Sequence, residues 1–360
     1  MKYLTIFGLC ALMTASVTAQ NVQKLTANKI SDYGIIYALP VTVVDVTVEA
    51  EKTERIPGEF YKYAGKYLGE DPITTPSTSW RVKSVTANTR GVADKNEEYL
   101  IQFKSGSTPY IMVDDNQMPV SVNIETDYSP EVPALPKAVA APPSILETPA
   151  AREAVTQDML KSQSSAKRAE LAAQRIYELR QTRNDIISGE ADNMPSDGEA
   201  MRIALETLSR QEEALTAMFL GTTKVSTDVK TFTVKPDSVD TEVVFARLSA
   251  IDGIVDAGNL SGDPLELKIK VTERGELPVN EKGEVKRFPK GGMAYRVPGR
   301  AEVSVNSLGR NLFDKEMEFS QYGVVFGLDP DIFTNKKSPA YVVFSPVTGG
   351  IREIGTKSNE

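Results

Sequence analysis

The sequence predicts an α+β fold in which two β-rich, sandwich-like regions are joined by a proline-rich linker and an antiparallel helical hairpin. Three observations lead to this prediction. Apolar and polar residues alternate along short segments in both the first and the last third of the chain, which is typical of half-buried strands. Residues 130–149 are dense in proline. Residues 150–221, which follow, are rich in strong helix formers.

The chain starts with the pattern of a secretory signal peptide at residues 1–19. Lys2 gives a basic start, residues 3–13 are mostly apolar, and small residues precede a cleavage site after Ala19. Cleavage there removes Cys10, the single cysteine. No later stretch has the roughly 20 apolar residues of a membrane helix. We therefore expect no transmembrane segment, and a location in the periplasm, at the outer-membrane periphery or outside the cell.

Residues 20–129 are predicted to form the first β-rich region. Strands are expected at 35–39, 41–50, 80–88, 99–104, 110–113 and 120–126. A short helix is expected at 57–69 (PGEFYKYAGKYLG), ended by glycine. Its aromatic residues, Tyr63 and Tyr67 among them, fall on one face. We interpret that face as part of a core, with an aromatic binding ledge as the alternative.

The proline-rich stretch at 130–149 is interpreted as a semi-rigid linker, because prolines cannot enter a regular sheet. The helical hairpin is predicted at 150–221. Residues 150–188 contain no proline or glycine, and Ser196 with Glu199 matches a capping box that would start the second helix. Gly221 would end that helix. Residues 161–183 are mainly basic and 197–213 mainly acidic, which favours antiparallel pairing.

Residues 222–355 are predicted to form the second β-rich region, followed by a tail at 356–360. Residues 34–40 (GIIYALP) and 292–298 (GMAYRVP) share a Gly-x-x-Tyr-x-aliphatic-Pro pattern, and an alternating strand follows each. Duplicated β units are one explanation of this similarity, although it is short for a repeat. The alternative to separate β regions is one in which they pack together and the hairpin projects as an arm or folds over them.

Composition excludes several kinds of chemistry. The 360 residues include no histidine and one cysteine, so Ser-His-Asp and Cys-His nucleophile systems and His- or Cys-ligated zinc sites are ruled out. With 41 Lys and Arg against 49 Asp and Glu, the net charge of −8 disfavours nucleic acid as a partner. We predict no catalytic residue, no cofactor and no metal.

The connector between the predicted helices is the densest acidic loop of the chain. Glu190, Asp192, Asn193 and Asp197 carry oxygen atoms that Ca²⁺ could use, but the spacing does not fit an EF-hand loop. Helix capping explains the same residues without a metal. These four residues, with Tyr63 and Tyr67, are the candidate surface.

Five segments occur in an order that resembles one known family. They are residues 34–40, 57–69, 187–199 (ISGEADNMPSDGE), 292–298 and 321–328 (QYGVVFGL). The chain is similar over nearly its whole mature length to an uncharacterised secreted family of Bacteroidetes-type envelopes, a domain of unknown function. The resemblance implies an envelope location and no catalytic residues.

The function that we expect is that of a non-enzymatic envelope protein that binds or scaffolds other envelope components. Its partner would be an envelope protein or a glycan. The alternative is a carboxylate-based hydrolase or a binding protein acting on glycans. Paired acids can hydrolyse glycosides without histidine, but the doublets Glu97-Glu98 and Asp114-Asp115 would point to opposite faces of a strand.

Overall fold

The computed structural model describes residues 21–24, 34–102, 110–126, 134–195, 198–333 and 339–356. The predicted leader at 1–19, residues 357–360 of the predicted tail, and Ser196 and Asp197 lie outside these ranges. Helices and antiparallel sheets are both present in the described residues, so the α+β prediction is confirmed.

The strands of the described residues are, in chain order, β1 (Asn21–Lys24), β2 (Ile35–Ile56), β3 (Ser77–Gln102), β4 (Ile111–Val113), β5 (Pro119–Val122), β6 (Thr222–Val234), β7 (Thr241–Ser249), β8 (Gly253–Asp256), β9 (Gly262–Glu273), β10 (Met293–Ser307), β11 (Arg310–Leu328), β12 (Ala340–Phe344) and β13 (Ile351–Thr356). They form three sheets, in the orders β1-β3-β2-β6, β11-β10-β9-β7-β8 and β13-β12-β5-β4.

The helices of the described residues are α1 (Ala64–Tyr67), α2 (Pro149–Ala154), α3 (Gln157–Lys161), α4 (Ser165–Ser188) and α5 (Glu199–Leu220). Short 3₁₀ turns occur at Tyr61–Tyr63, Ile145–Glu147 and Pro330–Phe333.

The first two sheets pack face to face around one apolar core. The alternating residues Val44, Val46 and Val48 of β2 are fully buried against Val303 of β10 and Phe319 of β11. Full burial of one such side chain stabilises the fold by about 1.5–3 kcal/mol. The period-2 pattern seen in the sequence is therefore the inner face of a sandwich.

The two β-rich regions share sheets. Strand β6, which follows the helices, pairs with β2 over its whole length. Strand β12 pairs with β5 in the third sheet. A second core joins all three sheets, with Tyr37, Leu39, Phe326, Val342 and Phe344 buried in it. The β regions thus pack together, which is the arrangement that the sequence analysis held as the alternative.

The two similar heptapeptides begin two hairpins with the same irregularity. In the β2–β3 hairpin the register shifts between Ala38 and Pro40, so that residues 94–97 stand opposite one residue. In the β10–β11 hairpin it shifts between Val297 and Gly299, and residues 320–323 again stand opposite one residue. Proline lacks a backbone donor and is tolerated in strands at such bulges. The bulges lie opposite Leu39 and Pro298, which are the sixth residue of one heptapeptide and the seventh of the other, and their near coincidence supports the duplication hypothesis.

The two hairpins meet at these bulges. The Tyr37 hydroxyl accepts a hydrogen bond from the Ala294 amide at 2.8 Å and donates one to the Ala294 carbonyl at 3.2 Å. Burial raises the pKa of Tyr37, which keeps the hydroxyl protonated and able to donate. Across the junction, the Thr42 amide donates to Ser320 Oγ at 3.0 Å. Polar contacts therefore fix how the two halves of the sandwich cross.

The part of the predicted hairpin that has no proline or glycine, residues 150–188, is divided into three helices, α2, α3 and α4. Thr156 and Ser164 have extended backbone conformations, and their hydroxyls accept hydrogen bonds from Met159 N and Lys167 N. Hydroxyl side chains that bond to nearby amides in this way start new helices, even where no proline or glycine interrupts the chain.

Ser196 of the predicted capping box lies outside the described residues. Helix α5 begins at Glu199 after Gly198, which is the N-cap residue and has a φ of 80°, so the helix starts two residues later than a Ser196 cap predicts. The Glu199 carboxylate bonds to Arg202 on the next turn. Gly221 ends the helix as predicted, with a φ of 87° and its amide bonded to the Ala217 carbonyl.

The proline-rich stretch lies along the body of the protein from residue 134 onward. Val139 and Thr227 of β6 exchange two backbone hydrogen bonds, at 3.2 and 2.8 Å. The following 3₁₀ turn and α2 pack against α5. This stretch therefore forms one wall of the helical layer.

Candidate functional site

The α4–α5 hairpin is anchored at one end by a small apolar core. Ala172 and Ile176 of α4 and Leu215 and Phe219 of α5 are fully buried there. Phe60, just before α1, closes this core, with its ring 5.4 Å from that of Phe219. Gly58 is needed beside it, because a Cβ at that position would lie 2.3 Å from the Met218 carbonyl oxygen.

The other half of the hairpin extends beyond that core. We call residues 180–213 the arm, of which 196 and 197 are not described. Of the described arm residues, Ile186 alone is buried. Helix α5 contributes residues 199–213 to the arm, which corresponds to about 20 Å of helix. The arm is therefore a helical projection with little core of its own.

Ion pairs connect the two helices of the arm. Glu212 of α5 accepts a hydrogen bond from Arg180 Nε at 2.6 Å, and its other carboxylate oxygen accepts one from Arg183 Nη1. These are the contacts between basic α4 and acidic α5 that the charge pattern predicted. Arg202 bonds within its own helix, to Glu199 and Glu206.

Exposed aliphatic side chains gather at the tip of the arm. Ile187 is 67% exposed, Met194 45% and Ile203 50%. They lie at the end of α4, in the connector and in the first turns of α5, so they belong to the same end of the antiparallel pair. Such side chains, grouped at the end of a projecting element, are typical of a contact surface.

The candidate residues of the connector lie at this tip. Glu190, Asp192 and Asn193 are exposed, and the Glu190 amide donates a hydrogen bond to the Asp185 carbonyl. Asp197 lies outside the described residues. No group of three or more Asp, Glu, His or Cys side chains arranged to hold a metal ion occurs in the described part of the chain. The tip therefore combines acidic and aliphatic side chains.

Tyr63 and Tyr67 lie at the opposite, anchored end of the hairpin. Both are half-buried and pack against the apolar core around Phe219, whose ring lies edge-on to that of Tyr67 at 6.5 Å. The Tyr67 carbonyl accepts a hydrogen bond from the Tyr177 hydroxyl at 2.7 Å. The structure thus separates these tyrosines from the acidic connector, and their packing favours the core interpretation.

An open groove of about 690 Å³ runs along the base of the arm. No sequence pattern predicts this groove, since its walls come from three distant segments: the proline-rich stretch, the two helices and the start of β6. Its lining comprises Pro142, Pro143, Ser144, Ile145, Thr148, Arg180, Arg183, Ser209, Glu212, Glu213, Thr216, Ala217, Leu220, Gly221, Thr222, Thr223 and Lys224. The spacing of Arg180 and Arg183, three apart on one helix, is the one signal in the sequence that points to it.

The groove contains a buried hydroxyl without a partner. Thr216 lies one helical turn after Glu212, and its Oγ1 makes no hydrogen bond within the described structure. Lys224 lies at the far side, where its ammonium is 3.6 Å from the exposed Glu147 carboxylate. The groove is therefore lined by polar and charged side chains, and one hydroxyl at its wall has no hydrogen-bond partner among the described residues.

Residues 33–352 match the model of a protein family described as a domain of unknown function, DUF4831. The chain belongs to this family. The match spans β2 to β12, the helical layer and both heptapeptides, whereas β1 and most of β13 lie outside the matched residues. No curated protein and no solved structure matches the chain. None of the helices that the structure describes is both long and apolar enough to cross a membrane.

Proposed function

We propose that this DUF4831 protein is a non-enzymatic protein of the cell envelope that binds or scaffolds another envelope component through the arm. The observation that carries this proposal is the contrast between the arm and the rest of the hairpin. The arm extends past its core and presents Ile187, Met194 and Ile203 to solvent. A partner that covers these side chains would bury apolar surface that the chain alone leaves in water.

The energetics of the arm favour such a role. Its helices are joined by the half-buried ion pairs of Arg180 and Arg183 with Glu212, for which we expect a contribution of about 1 kcal/mol. Full burial of one isoleucine side chain contributes about 1.5–3 kcal/mol. Ile187 and Ile203 are 67% and 50% exposed, so a partner that covers both would add half or more of this contribution, about 1 kcal/mol or more at each. Interfaces typically depend on a few such buried side chains.

The location in the envelope rests on the sequence at residues 1–19, which has the basic start, apolar run and small residues of a leader. A partner in the same compartment, protein or glycan, follows from that location.

The alternative is a carboxylate-based hydrolase or a binding protein for glycans. A general acid of a glycosidase needs a raised pKa. The pKa of Glu49 is instead lowered, first by a hydrogen bond from Lys83. The pKa of Glu199 is lowered by a hydrogen bond from Arg202. In the groove, Glu212 and Glu213 are consecutive helix residues, about 100° apart around the helix axis, and Glu212 already accepts hydrogen bonds from Arg180 and Arg183. These observations favour a binding role over hydrolysis.

Site-specific photo-cross-linking in intact cells tests the proposal. A photoreactive residue replaces Ile203 in the arm, and in a control chain it replaces Ile251, which is 80% exposed in the turn between β7 and β8. We expect one reproducible envelope component to be captured from position 203 and not from position 251. The same products from both positions, or none from position 203 in a folded chain, would contradict the proposal.

A further inference from the structure

We propose that the groove at the base of the arm binds a polyhydroxylated ligand that carries one carboxylate, either a free sugar acid or an acidic sugar unit of a polysaccharide. This site is separate from the tip of the arm. It can exist whether or not the tip binds a partner.

The charge of the groove fits a single negative charge. Three cations line it, Arg180, Arg183 and Lys224, against two carboxylates, Glu212 and Glu213. Lys224 is paired with Glu147 just outside this lining, so the local excess of one positive charge lies at Arg180 and Arg183, which share the carboxylate of Glu212. A monoanion would balance this excess, whereas a doubly charged phosphate would exceed it and be repelled by the two glutamates.

The arginines have donors left for such a ligand. Arg180 and Arg183 each use one N–H group for Glu212. A guanidinium has five N–H groups, so four remain on each arginine. The planar guanidinium matches the two oxygens of a carboxylate better than a point charge does. A ligand carboxylate beside Glu212 would therefore share the same pair of arginines.

The remaining lining suits hydroxyl groups. Thr216 Oγ1 is buried without a hydrogen-bond partner, and it lies one turn from Glu212 on the same face of α5. Buried polar atoms are normally paired, and an unpaired one marks a place where a partner is missing. A ligand hydroxyl close to its carboxylate would supply that partner once the Thr216 side chain turns from its buried conformation toward the groove. Further hydroxyl side chains line the groove, from Ser144, Thr148, Ser209, Thr222 and Thr223.

The size of the groove is also appropriate. Its volume of about 690 Å³ lies in the range of about 300–1,000 Å³ that small-molecule sites occupy. Pro142, Pro143 and Leu220 supply apolar patches against which the carbon face of a ring can pack.

Isothermal titration calorimetry on the mature chain tests the proposal, with D-galacturonate, trigalacturonate, D-galactose and inorganic phosphate as probes. We expect galacturonate to bind at least about tenfold more tightly than galactose or phosphate, because a charge-assisted hydrogen bond contributes that much. Arg183→Gln should weaken galacturonate binding by about tenfold or more, and Thr216→Val by about threefold. Arg175→Gln is the control, since Arg175 lies on the same helix, outside the groove, and bonds to Glu178.

Tighter binding of trigalacturonate than of galacturonate would identify a unit of a polysaccharide as the ligand, and equal binding would identify a free sugar acid. Both results support the site. Equal binding of galactose or phosphate, no binding of any probe, or galacturonate binding that Arg183→Gln leaves unchanged in a folded chain would overturn it. Circular dichroism of each variant shows whether the chain is folded.

Discussion

The two halves of the α4–α5 hairpin differ in the interactions that keep the two helices together. The anchored half is held by a buried core that includes Ile176, Leu215 and Phe219, all at 0% exposure. The arm has one buried residue among those described and is joined by ion pairs to Glu212. The same two helices thus pass from a region that stabilises the fold to a region that adds little to it. This difference assigns stability to the anchored half and leaves the arm available for binding.

Phe219→Ala should have the largest effect on stability. The Phe219 ring is fully buried and contacts the rings of Phe60 and Tyr67, so its removal leaves a cavity. We expect the free energy of unfolding to fall by about 3–5 kcal/mol, measured by urea denaturation. Ile203→Ala in the arm is the matched control, with an expected change within about 0.5 kcal/mol. Similar losses from both variants would erase the distinction between the two halves.

Glu212→Gln should have an intermediate effect. The Glu212 side chain is only 13% exposed and receives both Arg180 and Arg183, so the substitution leaves two cations without their carboxylate. We expect a loss of about 1 kcal/mol that becomes smaller as salt is added. Glu206→Gln is the control, because Glu206 is more exposed and bonds within its own helix. A loss that is independent of salt would argue for packing as the cause.

The sequence predicted the strands better than the helices, for a physical reason. The alternation at 41–50 directly shows which residues of β2 face the core, because side chains on a strand alternate between faces. It could not show that β2 continues through Pro40, since the bulge next to the proline, opposite Leu39, depends on the partner strand.

The helix boundaries and the groove could not be predicted from residue spacing. The breaks in 150–188 depend on whether the Thr156 and Ser164 hydroxyls bond to the amides of Met159 and Lys167, and the surrounding helix formers hide that choice in the sequence. The groove combines Pro142, Arg183 and Lys224, which are brought together only when α5 packs on the proline-rich stretch. No spacing along the chain encodes that contact.

Glu49→Gln should have a smaller effect than Glu212→Gln, visible as a change with pH. Hydrogen bonds from Lys83 and Ser84 lower the pKa of Glu49 below its usual value near 4.5. The ionised carboxylate therefore adds stability above that value, and this contribution is lost as the pH falls through the lowered pKa. We expect the difference in urea midpoint between wild type and Glu49→Gln to be present at pH 7 and to shrink below about pH 4.

Glu199→Gln is the comparison in the arm. Its carboxylate also has a lowered pKa, through Arg202, but it is fully exposed. Solvent screens exposed pairs, so we expect a smaller difference at pH 7 than for Glu49→Gln. An equal or larger difference would place more of the stability in the arm than its exposure allows.

The most direct test of the arm as a binding surface compares stability with partner capture in one variant. The variant Ile187→Lys places a charge at a position that is 67% exposed. The same chain also carries the photoreactive residue at position 203. We predict that the free energy of unfolding changes by less than about 0.5 kcal/mol while the yield of cross-linked partner falls by about tenfold or more. Unchanged capture by this variant would contradict the account, because the exposed aliphatic tip would then have no part in binding.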